Sequence, residues 1–121
     1  MKNRTTLVLG ASPHADRYSY LAVTRLVAHG YPVIALGLRP GAIGKVPIVQ
    51  EMPDATRVHT VTLYLNPVNQ MPWTKVILGL APERIIFNPG TEHPSFEAEA
   101  AARGIEVVRG CTLVMLAAGT Y

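Results

Sequence analysis

The stretch from Thr6 to Ser19, TLVLGASPHADRYS, limits the fold of this chain more than any other. A short apolar run, Leu7-Val8-Leu9, meets Gly10, passes through the small residues Ala11-Ser12-Pro13, and gives way to a helical pattern near Tyr18. Strand, glycine turn and helix in that order are how α/β proteins build a phosphate site. Small residues let the backbone come close, and free N–H groups at the helix start attract anions. The turn therefore reads as a nucleotide-type phosphate cradle. The full G-x-G-x-x-G pattern is missing and Gly10 is the turn's one glycine, so an ordinary strand-to-helix turn stays open beside it.

At 121 residues the chain has room for one compact domain, and a hydrophobic fraction of 49% is enough for a real core. Its formal charge of +3 comes from 11 basic and 8 acidic residues scattered without a like-charged run. Such a balance suits an anionic small ligand and falls short of a nucleic-acid footprint. The single cysteine, Cys111, excludes an internal disulfide framework and points to a cytoplasmic setting. No apolar run is long enough for a signal peptide's core or a membrane span.

Ala22, Val23, Leu26 and Val27 recur at helical spacing, and Gly30 closes that first helix. Residues 33–36 form a second buried strand, stopped by Gly37-Leu38-Arg39-Pro40-Gly41. Residues 41–57 read as a loop with brief extended pieces. The run TVTLYL, residues 60–65, is a third strand ended by Asn66-Pro67, and residues 68–80 a helix starting at Pro67 or Pro72. A fourth strand at 84–87 ends in Asn88-Pro89-Gly90, and a helix opens at Pro94 and closes at Gly104. A fifth strand at 105–108 and a terminal helix at 111–118 complete an α/β pattern. It predicts one open, parallel, five-stranded sheet with helices on both faces.

In such sheets ligands bind beyond the carboxyl ends of the strands. Four strand ends carry a polar residue before a proline: Ser12-Pro13, Arg39-Pro40, Asn66-Pro67 and Asn88-Pro89. Where an unphosphorylated dinucleotide site would offer an acid to the ribose, the second strand's end offers Arg39, whose guanidinium fork suits a phosphorylated ribose. Coenzyme A and the phosphorylated nicotinamide cofactor both carry one. Arg17 and Ser19 are candidate donors for a pyrophosphate, while Asp16 or Ser19 is expected to cap the first helix.

These residues resemble a known family. The frame VLGASPHADRYSYLAVTRLVAHGYPVIALGLRP, then YLNP, then IIFNPGTEHPSFEAEAAARGIEVVRGCTLVM, is similar to the small stand-alone CoA-binding proteins of Rossmann-type fold, themselves similar to the CoA-binding domain of the succinyl-CoA synthetase α subunit. The resemblance implies a Rossmann-like domain that binds CoA or an acyl-CoA, with the pyrophosphate at the first turn and the adenosine end near the second and third strand ends. Carried over by position, the cofactor-binding set is Gly10, Ala11, Ser12, Pro13, Arg17, Ser19, Arg39, Asn66, Pro67, Asn88 and Gly90. Relatives tend to read Asn-Pro-Arg where this chain has Gly37-Leu38-Arg39. Nothing corresponds to the synthetases' second domain with its phosphorylated histidine, so ligase activity does not transfer.

A catalytic reading needs a positioned nucleophile and base or a metal cluster. His14, His29, His59 and His93 lie far apart in sequence without metal-ligand spacing. Cys111 follows Arg109-Gly110, where a thiolate could be activated, and Glu92-His93 is a candidate acid–base pair. Three hypotheses follow: a non-catalytic CoA-binding module; an enzyme, either an oxidoreductase using the phosphorylated nicotinamide or an acyl-CoA enzyme using Cys111; and a scaffold with a vestigial phosphate site, whose partner is another protein or a second copy of the chain.

Overall fold

The computed structural model describes residues 4–53 and 57–121; the end of the 41–57 stretch and the residues before Arg4 thus fall partly outside the described residues. Seven strands form one sheet: β1 (Thr6–Leu9), β2 (Val33–Leu36), β3 (Gly41–Ile43), β4 (Val46–Val49), β5 (Thr60–Leu63), β6 (Arg84–Phe87) and β7 (Glu106–Arg109). Their order is β3-β4-β2-β1-β5-β6-β7. Every adjacent pair is parallel except β3 and β4, which run antiparallel.

Central strands β1, β5 and β6 are buried along their whole length, as in a sheet covered on both sides, with Thr6, Thr60, Thr62 and Arg84 as their buried polar members. Successive side chains alternate between the two faces. Leu7, Leu9, Leu63, Ile85 and Phe87 meet one layer, made by Ile77 and Leu78 of α3 (Thr74–Leu80) and by Phe96 and Ala100 of α4 (Pro94–Ala102). On the other face Val8 and Ala35 meet Val23 and Leu26 of α1 (Tyr18–Ala28) and Leu116 of α5 (Thr112–Ala118). The expected α/β sandwich with helices on both faces is present.

Two features differ from the sequence expectation. The sheet has seven strands, not five, and is not wholly parallel. The extra pair arises from residues read as loop: β3 and β4 fold back on each other across Gly44-Lys45, with Gly44 at φ +59. Gly41, Gly44 and Pro47 break up the apolar residues of this stretch, and Pro47 argues against a strand. The parallel ladder of β4 with β2 takes only Ile48 and Val49, so Pro47 lies outside it.

The helix expected over 68–80 is also broken. It becomes a short α2 (Pro67–Gln70), one 3-10 turn (Met71–Trp73) and then α3. Pro72 lacks an N–H, and its ring would strike the carbonyl four residues back, so the helix cannot run through it. Each candidate proline opens its own segment.

Candidate functional site

The sheet order reverses between β1 and β5, so the loops leaving those two strands diverge and open a crest. Gly10 turns the chain there at φ +98, and the N–H groups of Gly10 and Ala11 both donate to the Leu36 carbonyl, at 2.9 and 3.0 Å. A Cβ on Gly10 would lie 3.0–3.1 Å from Tyr64 backbone and Leu65 side-chain atoms. At the neighbouring strand end a Cβ on Gly37 would come 2.1 Å from the Ala11 carbonyl oxygen. Two turns are thus in backbone contact, which only glycine permits.

Ser12 Oγ accepts the His14 N–H at 3.2 Å and tightens the turn. The N-cap of α1 is Arg17, and no side chain caps it. The expectation that Asp16 or Ser19 caps this helix is not met: Asp16 is exposed and Ser19 lies buried inside the first turn. An uncapped start of an eleven-residue helix leaves backbone donors facing the crest.

Four adjoining hollows run along that crest. The first, about 200 Å³, is apolar, with walls from Leu36, Leu38, Leu65, Val68, Pro72 and Trp73. A second, about 370 Å³, is lined by Gly10, Ala11, Ser12, Arg17, Arg39 and Asn66. The third, about 380 Å³, continues past Arg17, Ser19, Asn66 and Gly90, and the fourth, about 280 Å³, lies among Tyr18, Pro89, Cys111 and Leu113. Each shares walls with the next: Leu38 and Leu65 between the first two, Arg17 and Asn66 between the middle two, Tyr18 and Pro89 between the last two. The glycine turn and Arg39 face one hollow, and Arg39 Nη1 stands 3.5 Å from His14 Nε2 across it.

The remaining expected site residues serve the crest in different ways. Asn66 lines two of the hollows while its Oδ1 accepts the Asn69 N–H at 2.9 Å, capping α2, and Pro67 opens that helix. Pro13 and Pro67 shape their turns without lining any of the four hollows. Asn88 is only 3% exposed and its amide is spent inside the protein. Its Nδ2 donates to Thr62 Oγ1 and the Leu63 carbonyl at 2.7 and 2.8 Å, and its Oδ1 accepts the Thr112 N–H at 2.9 Å. Gly90, at φ +92, gives its N–H to Glu92 Oε1 at 2.9 Å.

Glu92 and His93, read as a candidate acid–base pair, are each bonded elsewhere, Glu92 to Gly90 and His93 to Gln70. Arg109, which could have activated Cys111, is held by Glu97 through two hydrogen bonds of 2.7 and 3.0 Å. Cys111 is half-buried and lines the fourth hollow.

Sequence reasoning missed two residues that shape the crest. Gln70 is fully buried. Its Nε2 donates to the carbonyls of Leu65 and Thr91, at 2.8 and 2.7 Å, and its Oε1 faces His93 Nδ1 at 2.8 Å. With its nitrogen committed to carbonyls, the oxygen must accept, so His93 carries its proton on Nδ1. One side chain thereby ties the loop after β5 to the loop after β6. Tyr64 walls three of the four hollows. Burial pushes its hydroxyl's pKa up to about 12, against a smaller opposing influence from the nearby Thr112 and Thr62 hydroxyls. The only sequence signal for Tyr64 is a phenol in a strand-like run, and Gln70, next to Asn69, has none.

A larger hollow, about 750 Å³, lies at the opposite edge of the sheet among Arg4, Thr5, Arg57, His59 and Glu83. It has no glycine turn and no long helix start to supply backbone donors, so the crest is the better candidate despite its smaller volumes. Among the described residues no three His, Cys, Asp or Glu side chains are grouped to hold a metal, and no helix is long and apolar enough to cross a membrane.

Solved structures share this architecture. The crystal structure of an uncharacterized protein is 49% identical and superposes with a TM-score of 0.94, with 98% of each chain covered. A Thermus thermophilus protein, 23% identical, gives 0.84 over 98% of this chain and 91% of that one. A hypothetical protein from Pyrococcus horikoshii OT3, 20% identical, gives 0.81 over 93% and 80%. No curated protein matches the chain significantly. The model of the CoA binding domain family matches residues 4–117, nearly the whole length, and the chain belongs to that family.

Proposed function

We propose that the protein binds coenzyme A or an acyl-CoA along the crest and does so without catalysis, as a carrier, sensor or regulatory module. What carries this reading is the order of chemistry along one groove: an apolar slot, a cationic and glycine-rich middle, and a second apolar end. A CoA molecule has the same order of parts: adenine, phosphates, then a pantetheine arm. The slot beside Leu38 and Trp73 suits the base, and Arg39 suits the 3′-phosphate bidentately. The Gly10–Ser12 turn, Arg17 and the start of α1 suit the pyrophosphate. The strand order, with β3 set aside, is that of a Rossmann-type sheet, which supports the placement of the ligand at the reversal point. Non-catalysis is supported by the commitment of Glu92, His93 and Arg109 to partners within the fold.

Titration calorimetry with CoA, dephospho-CoA and the phosphorylated nicotinamide cofactor tests this reading. CoA should bind, and removal of its 3′-phosphate should weaken binding. Arg39→Ala should cost on the order of 1.5–3 kcal/mol of CoA affinity, the worth of a charged hydrogen bond. Preference for the nicotinamide cofactor, or unchanged CoA affinity in Arg39→Ala, contradicts the assignment.

A further inference from the structure

The end of the groove farthest from Arg39 differs from the rest. Its walls are Tyr18, Tyr64, Asn88, Pro89, Cys111 and Leu113, around about 280 Å³, with the Asn88 amide bonded inside the protein, whereas the adjoining hollow carries Arg17, Ser19 and Asn66. Tyr18 at its rim stands in solvent, 72% exposed. Beside this lining lies the Tyr64 hydroxyl, sealed from solvent and close to the Thr62 and Thr112 hydroxyls without a hydrogen bond of good geometry to either. Those two threonine hydroxyls bond each other at 2.7 Å, and Thr62 Oγ1 also accepts from Asn88 Nδ2 at 2.7 Å. A buried donor without an acceptor is costly, and folded proteins keep one where a ligand or water completes it.

We infer that this hollow takes the acyl end of a short-chain acyl thioester, with the carbonyl oxygen accepting from the Tyr64 hydroxyl and the carbon chain lying against Tyr18, Pro89 and Leu113. This rests on the reading that CoA lies along the crest with its adenosine end by Arg39, since the thiol end then arrives here. The hydroxyl makes no well-formed hydrogen bond within the fold that a ligand carbonyl would have to displace. A free thiol is a poor acceptor and brings no added carbon to bury, so bare CoA leaves the tyrosine unmet. Cys111 contributes a polarizable apolar wall. The volume admits a few carbons beside the cysteamine arm and has no room for a fatty chain.

Calorimetric titration of the intact chain with CoA, acetyl-CoA, butyryl-CoA and palmitoyl-CoA tests the inference, with Tyr64→Phe measured alongside. Affinity should rise from CoA to butyryl-CoA by tenfold or more, roughly fourfold per buried methylene, and fall again for palmitoyl-CoA. Tyr64→Phe removes an unbonded hydroxyl, so the free variant should melt no lower than the parent. In that variant the ratio of butyryl-CoA to CoA affinity should drop by roughly fivefold. Equal affinities for CoA and butyryl-CoA in the parent, or an unchanged ratio in Tyr64→Phe, overturn the acyl assignment and leave CoA binding standing. Failure of every ligand to bind overturns both readings.

Discussion

A hydrogen atom is all that fits at Gly37. A methyl group there would sit 2.1 Å from the Ala11 carbonyl oxygen, and backbone cannot step aside as a flexible side chain can. Gly37→Ala should therefore destabilise the fold by about 1–3 kcal/mol, the usual cost of overpacking, and push the first turn out of place. Chemical denaturation measures the loss, and a variant as stable as the parent would refute the contact. Asn88 shows a different limit of residue-level reading. An asparagine before a proline at a strand end looks the same whether its amide faces a ligand or the interior. Its partners, Thr62 and Thr112, lie 26 and 24 residues away in sequence, so nothing local reveals that the amide is committed. Gln70 and Tyr64 were illegible for the same reason: what matters about each is a partner, or the lack of one, on another loop.

At the scale of elements, α4 is tied to β7 by Glu97, whose carboxylate takes two hydrogen bonds from Arg109 and one from the His93 N–H. The Arg109 guanidinium, chiefly, and then the His93 N–H hold the Glu97 carboxyl below its ordinary value of 4.5, against a smaller upward push from burial. A depressed acid contributes stability that is complete above its unfolded pKa and is lost as pH falls through the folded one. Urea unfolding near pH 6 and near pH 3 should thus show a steeper acid loss in the parent than in Glu97→Gln, and equal losses would contradict the coupling. Most elements were legible because punctuation marks their ends: Gly30 and Gly104 close helices at φ +83 and +80, and Pro94 opens one. The β3–β4 hairpin was not, since Gly41, Gly44 and Pro47 interrupt its apolar residues and such punctuation reads as loop. The break between α2 and α3 was half legible, in that both prolines were seen as helix starts and only the choice between them was mistaken.

For the whole molecule, a ligand that binds only the folded state raises its stability by mass action. CoA at a hundred times its dissociation constant should add about 2.7 kcal/mol, or about 8–14 °C in melting temperature for a domain of this size. Thermal melts with CoA and with dephospho-CoA at the same concentration check this, and the second ligand should shift the midpoint less. No shift with CoA would contradict occupancy of the crest. Such a groove exists because the sheet order reverses between β1 and β5, bringing residues from both halves of the chain to one edge.

The amino-acid sequence by itself determined the α/β alternation, the glycine turn after the first strand and the cationic position at Arg39, because apolar runs, glycines and prolines act on their own neighbours. Only the tertiary structure decided that the turn and Arg39 share a hollow, that Asn88 is spent internally, and that the Tyr64 hydroxyl is buried without a partner. Those are facts about pairs far apart in the chain, and strand order, which no local pattern encodes, sets which pairs meet.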